Sequence, residues 1–465
     1  MPLKEHKKIF VILVFFIIVK LALLGFYRIV WWDSSVYIGM GKYIYSSGNS
    51  GLWEDLRPVV WPFMLGFFWK MGINPVFFGR IFEIFLGAGT ILITYFIGRM
   101  IFNSKVALLA SGFLALSPTF FFFIGILLTE IVSTLFALVA IYFFIKKNYL
   151  ISGIFFGISF MTRFVQVVAF FTALLIIIIW NKNKTKSVIK LFLGFSIIVL
   201  PYLTLNHVLY HNPVKPFLTY LMLNEMSFHQ QISLATYTDG ANYHGMTFYF
   251  SNLFKENFLY LFLIIPFASF MRNKNIDKKS IILFFLVFFV FFHLTKDKEM
   301  RYLISLFPYM YLIVGDSIIK VFRVFKINKK IMAIIILLPI IFSVINIYNY
   351  YKNEINKRDY KDVAEFLDAS SIKIWTSNPS IIIFTNNKIS NLMYYPLFGE
   401  SKKNQLISTI QEPDYVFLDT CDLYCGVKYY SCEQNKKELV EQLKINFNLV
   451  YSSEYNLCKQ FVFKK

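Results

Sequence analysis

Asp33, in the stretch "RIVWWDSSVY", closes the first long apolar run of the chain. Other charged residues stand at similar boundaries. Arg57 precedes Pro58 in "LRPVVWP", Glu130 follows Thr129 in "LLTEI", and Arg163 lies in "MTRF". Lys296, Asp297, Lys298, Glu299 and Arg301 crowd "TKDKEMRY". One carboxylate is enough to serve as a general base. Cations suit a phosphate, and a guanidinium can grip it with two parallel hydrogen bonds. An acid among such cations is equipment for displacing a phosphate leaving group. The acid takes a proton from the nucleophile while the cations stabilise the departing charge. On this reading Asp33 is the base and Arg57 the first phosphate ligand. Arg163, Lys296, Lys298 and Arg301 form the second set, and Glu130 orients the acceptor or holds Arg163.

Plainer readings compete. A lone charge flanking an apolar span is more often an anchor than a reactant. Asp33 followed by "SSVY" also suits the cap of a helix. Arg80 and Glu83, three residues apart, read as an internal ion pair. Lys20 reads as a side chain that snorkels outward. His207 and His211 have the i,i+4 spacing that can bind a metal, but without a third ligand the pair points to no metal site.

The elements that must position these residues are membrane helices. The chain has 465 residues, 57% of them hydrophobic and 20% aromatic. Apolar runs of roughly 18–22 residues recur over the first 350 positions, long enough to cross a ~30 Å hydrocarbon layer as helices. Eleven spans are predicted, near 9–27, 76–98, 106–124, 129–145, 149–161, 164–180, 188–209, 256–271, 280–294, 302–319 and 331–349. Residues 59–71 are apolar but too short to cross, so they read as interfacial. So does "SSVYIGMGKYIYSSG", an expected helix within the first outer loop.

Charge sets the orientation. One set of loops holds 20 Lys and Arg against only Glu5 and Asp277, whereas the alternate loops hold nine cations and nine anions. The positive loops face the cytosol. The N-terminus is therefore expected inside and the C-terminus outside. The formal net charge of +20 is a topology signal and implies no nucleic-acid partner. The first span reads as a retained anchor in a multi-pass protein of the cell membrane.

The membrane domain is expected over 1–351, and a small extracytoplasmic α/β domain over 352–465, where 15 cations balance 14 anions. In that tail "IKIWTS", "SIIIFTN", "DYVFLDT", "FNLVYSS" and "LCKQFVFK" read as strands. "DYKDVAEFLDAS", "KKNQLISTI" and "NKKELVEQLK" read as helices. All four cysteines, Cys421, Cys425, Cys432 and Cys458, fall in the tail. In an oxidising compartment an even count favours two disulfides over zinc, with the pairing open. The fold class is thus mainly α, a polytopic helical bundle with a small α/β appendage.

The order of these motifs resembles the GT-C superfamily of membrane glycosyltransferases, in the branch of the protein O-mannosyltransferases and lipid A aminoarabinose transferases. The residues that carry the resemblance are Asp33, Arg57-Pro58 with Pro62, Gly79-Arg80, "ALSP" with Thr129-Glu130, Thr162-Arg163, and "KEMRYLISLFP". Many members of that branch have a second acid after the first; here Ser34 stands there, which leaves the acceptor class open. "WWD" also echoes the oligosaccharyltransferase signature, but in those enzymes it belongs to the soluble domain, and the tail here has none. The resemblance implies an inverting glycosyltransferase with a polyprenyl-phosphate-linked sugar as donor and a protein, lipid or glycan as acceptor. The phosphate chemistry supports it independently, because the chain has no nucleotide-binding glycine loop. A lipid-borne sugar reaches an enzyme on the outer face without one. No cofactor is implied, and a divalent metal stays open. The competing classes are a transporter or flippase, which would be expected to show inverted repeats, and a non-catalytic membrane scaffold.

Overall fold

The computed structural model describes residues 6–27, 30–219, 247–263, 275–295, 298–326, 328–354, 360–367, 373–393, 400–422, 430–455 and 458–465. The chain divides into two compact units. The helical unit is built from Met1–Arg28, Gly79–Lys215 and His244–Asn356. The mixed unit combines Ile29–Phe78, Pro216–Tyr243 and Lys357–Lys465.

In the helical unit, α1 covers Lys7–Ala22. In the mixed unit, α2 covers Trp32–Tyr45 and α3 covers Val60–Lys70. The helical unit resumes at Gly79 within α4 (Pro75–Ile101) and continues with α5 (Ser104–Ala115), α6 (Pro118–Phe123) and α7 (Thr129–Ile145). Helices α8 (Tyr149–Thr162), α9 (Val167–Trp180) and α10 (Lys184–Tyr210) follow. Further helices run over Phe248–Glu256, Ile276–Leu294, Phe307–Val324 and Lys329–Glu354. Among the described residues, four stretches are long and apolar enough to cross a membrane: Lys7–Phe26, Pro75–Ile101, Lys184–Tyr210 and Ile334–Lys352.

The apolar runs became helices where expected, with informative breaks. The run 106–124 is split at Leu116–Ser117, because Pro118 lacks the N–H that would continue α5 and instead starts α6. The run from 302 opens as a 3-10 turn, Met300–Ser305, and becomes α-helical only at Phe307, with Pro308 in the first turn. Of the run 256–271, residues 256–263 are described: the end of the helix Phe248–Glu256 and the 3-10 turn Phe258–Leu263.

The mixed unit holds a five-stranded sheet. Its strands are β1 (Lys373–Thr376), β2 (Lys388–Leu392), β3 (Tyr415–Asp419), β4 (Asn448–Tyr455) and β5 (Cys458–Lys464), in the order β2-β1-β3-β5-β4. β2, β1 and β3 run parallel, and β5 pairs antiparallel with both β3 and β4. "SIIIFTN" is not a strand. Asn378 caps a 3-10 turn over Pro379–Ile383 by accepting from the Ser380 N–H, and the neighbouring strand is β2. Three consecutive isoleucines look the same in a buried turn as in a buried strand, so the pattern alone could not tell them apart.

The first outer loop is part of this unit's core. Val36, Met40 and Leu52 pack with Val363, Ile374, Ile382, Phe417 and Val462. Burying side chains of this kind contributes about 1.5–3 kcal/mol each. The loop also reaches the edge of the sheet: Gly51 accepts from Ile389 N–H at 2.8 Å and donates to Asn387 O at 3.1 Å. Helix α2 is therefore packed within a protein core, with Ser34 through Lys42 all buried.

Candidate active site

In the mixed unit, Asp33 sits in the first turn of α2, one residue past the helix start; Trp31 takes the cap position, so the capping role expected of Asp33 is not realised. A carboxylate there is favoured by the positive end of the helix dipole. Helix α2 lies against α3 at a point where no side chain intervenes. A Cβ on Gly41 would meet the Pro62 carbonyl at 2.5 Å, and one on Gly66 would meet the Gly41 carbonyl at 2.5 Å. This backbone contact fixes the register of α2 against the turn before α3, which carries Arg57.

Arg57 and Asp33 form an ion pair, Nη2 to Oδ1 at 2.8 Å. Arg57 Nε also donates to Glu54 Oε2 at 2.6 Å and Nη1 to the Tyr37 hydroxyl at 3.2 Å. The guanidinium lies over the Tyr37 ring, 5.1 Å from its centroid. Burial alone would push the Arg57 pKa down, but the charges of Asp33 and Glu54, with Tyr37 beside them, outweigh it and hold it above its ordinary value. Of these three charged side chains Asp33 is the most open, 27% exposed against 15% for Arg57 and 9% for Glu54. Two carboxylates thus share one guanidinium.

Helix α2 is anchored by Lys42. Its ammonium donates to the Ile382 carbonyl at 2.7 Å and the Thr385 carbonyl at 2.9 Å. Burial lowers its pKa to about 8. Nothing in the local sequence marks Lys42 as buried, because its acceptors lie some 340 residues away.

In the helical unit, Glu130 occupies the first turn of α7. Its Oε1 lies 3.2 Å from Arg163 Nη1 and 3.7 Å from Arg301 Nε. Arg301 also pairs with Glu299, Nε to Oε2 at 2.6 Å. Both guanidinium groups lie over the Tyr302 ring, at 5.0 Å for Arg163 and 5.6 Å for Arg301. Glu130 therefore holds Arg163, as one of its two expected roles required, and holds Arg301 as well. Lys298 turns its ammonium onto the Thr295 carbonyl at 2.6 Å. Lys296 lies outside the described residues. A buried polar layer supports the cluster: Gln166 Nε2 donates to Ser305 Oγ at 2.8 Å and to Ser133 Oγ at 3.2 Å. Tyr302, Gln166 and Ser305 were missed in the sequence because hydroxyls and amides in apolar runs carry no positional signal. Glu54 could have been found from its three-residue spacing to Arg57.

Three other expectations need correction or completion. Lys20 does not snorkel; it is fully buried and bonded to oxygens of α6, of the turn that follows it, and of Tyr351. Arg80 and Glu83 each engage the backbone of that turn: Arg80 donates to the Gly125 carbonyl, and Glu83 accepts from the Gly125 and Leu127 amides. Cys421 and Cys458 form a disulfide between the end of β3 and the start of β5. Cys425 lies outside the described residues, as does the side chain of Cys432. Among the described residues, one group of metal-ligand types comes together, Asp419 with Cys421 and Cys458, and the disulfide occupies both of its cysteines.

Residues 56–206 match the dolichyl-phosphate-mannose-protein mannosyltransferase family. Among proteins of curated description, none matches the chain. Solved structures share its fold at low identity. ArnT from Cupriavidus metallidurans, bound to undecaprenyl phosphate, has a TM-score of 0.64 at 12% identity, over 97% of each chain. The oligosaccharyltransferase AglB from Archaeoglobus fulgidus, in complex with an inhibitory peptide and a dolichol-phosphate, has a TM-score of 0.63 at 11% identity, over 99% of this chain and 74% of that one. The segment match and the shared fold bear out the resemblance read from the motifs, and together they indicate a membrane glycosyltransferase of the GT-C fold.

Proposed function

We propose that the protein moves a sugar from a polyprenyl-phosphate donor to a protein, lipid or glycan acceptor on the outer face of the cell membrane, with Asp33 as general base. The observation that carries this reading is the Asp33–Arg57–Glu54 cluster. Asp33 is its most open acid, and Arg57 fixes the orientation of the carboxylate. In the reaction the acceptor's O–H or N–H gives its proton to Asp33. The acceptor atom bonds to the anomeric carbon, and the bond from that carbon to the phosphate oxygen breaks. One displacement inverts the anomeric centre.

The departing phosphate needs cations. Arg163 and Arg301, brought together on Glu130, are the assigned holders, with Lys298 as a further charge close in sequence. The expected role of Arg57 as a phosphate ligand is less suited to its surroundings, where two carboxylates would repel a phosphate; holding Asp33 fits better. The Cys421–Cys458 disulfide supports an oxidising, extracytoplasmic location for the C-terminal domain and so the outward orientation. The lipid phosphates held by the ArnT and AglB structures support the donor class. The test incubates purified protein with radiolabelled polyprenyl-phosphate sugars and membrane extract. A labelled product in wild type that is lost in Asp33→Asn, with membrane insertion intact, is expected. Near wild-type transfer by Asp33→Asn overturns the assignment.

A further inference from the structure

Three charged side chains outside both clusters converge on one short turn. The Lys20 ammonium, on α1, donates to the carbonyls of Phe121 at 2.9 Å and Ile124 at 2.5 Å. It also reaches the hydroxyls of Tyr27 at 2.6 Å and Tyr351 at 3.0 Å. Arg80, on α4, donates to the Gly125 carbonyl at 3.1 Å and the Tyr27 carbonyl at 2.7 Å. Glu83, one helical turn on, accepts from the amides of Gly125 and Leu127, both at 2.8 Å. The held backbone is strained: Gly125 has φ +105° and Leu127, a residue with a Cβ, has φ +70°. Such conformations persist only where the surroundings over-determine them. Charges at membrane depth are costly and mark function by default.

The turn leads straight into α7, which begins at Thr129 and carries Glu130 in its first turn. Leu128, at the cap position, makes no side-chain cap bond, so the start of α7 is set by the turn before it. We propose that Lys20, Arg80 and Glu83 are positioning residues: by clasping residues 121–127 they fix where Glu130 stands, and through Glu130 they hold Arg163 and Arg301 in place to bind phosphate. This rests on the reading of the Arg163–Arg301 cluster as the phosphate holder.

The test measures the Kd of undecaprenyl phosphate for the purified, detergent-solubilised full chain. Arg163→Ala is expected to weaken binding by about tenfold or more. Glu83→Leu removes the acceptor for two amides and is expected to weaken binding by a similar factor, with Glu83→Gln, which keeps an acceptor oxygen, restoring most of it. Gly125→Ala leaves every charge in place but drives a Cβ toward the Tyr27 ring, 2.9 Å away. It is expected to weaken binding likewise, and it carries the test if Glu83→Leu does not fold. Weakened binding in Arg163→Ala but wild-type binding in Gly125→Ala, or in a folded Glu83→Leu, overturns the positioning role alone. Wild-type binding in Arg163→Ala overturns the phosphate reading, and the inference with it.

Discussion

The Asp33 and Glu130 clusters use the same residue types in different arrangements. In the mixed unit two carboxylates, Asp33 and Glu54, share Arg57. In the helical unit one carboxylate, Glu130, bridges two guanidiniums, Arg163 and Arg301, with Glu299 on the second and Lys298 close in sequence. Two acids on one guanidinium suit the proposed base, and two guanidiniums drawn together on one acid suit the proposed phosphate site. Counting ionisable residues along the chain hides this difference; the pairing shows it. Both clusters also use a tyrosine in the same way, Tyr37 under Arg57 and Tyr302 under Arg163 and Arg301. An aromatic face steadies a guanidinium without consuming its charge.

The division of labour can be broken most decisively at Asp33. Asp33→Asn is expected to reduce turnover by about 10²–10⁴-fold, the usual contribution of a general base. A loss confined to donor KM would place the residue on the wrong side of the comparison.

The second effect, about 3 kcal/mol, concerns the mount of that base. Lys42 is held at about 8, against 10.5 for an unburied lysine. Between those values the unfolded chain binds more protons than the folded one, so this group makes stability rise with pH through that window. Lys42→Met lacks this pH dependence. Thermal melts from pH 7.5 to 10.5 should show wild type gaining on the variant as pH rises; parallel curves would remove the buried cation from the account.

On the cationic side, Arg163→Ala and Arg301→Ala are each expected to cost about 1.5–3 kcal/mol in donor affinity, the range for hydrogen bonds to charged groups. The readout is donor KM, and a change in kcat alone would contradict the assignment. The smallest effect belongs to Tyr37→Phe, which removes one 3.2 Å hydrogen bond from Arg57 while keeping the ring. About 1 kcal/mol, or fivefold in turnover, is expected.

Much of the architecture was legible. The helix over 129–145 begins and ends where its apolar run does, and α2 and α3 occupy the two stretches read as interfacial helices. Asp33 and Arg57 were both singled out, since charges at the ends of apolar runs are conspicuous. What escaped was whatever depends on distant partners. Lys20 looked like a snorkelling residue because the carbonyls it binds lie 101 and 104 residues away. Arg80 and Glu83 satisfied a local pairing rule, but their spacing gave no sign that each also binds the turn at 125–127. The stretch 380–386 failed for a different reason: an isoleucine run specifies burial but not backbone shape.

The bare contact between Gly41 and Gly66 has a practical consequence for anyone who mutates this protein. Asp33 lies eight residues from Gly41, about 12 Å along the helix. A methyl group at either glycine would wedge two backbones apart and swing the acid off its guanidinium from that distance. A saturation screen should therefore score two residues with no reactive atoms as intolerant as the base itself, and efforts to retarget the acceptor should leave that seam untouched.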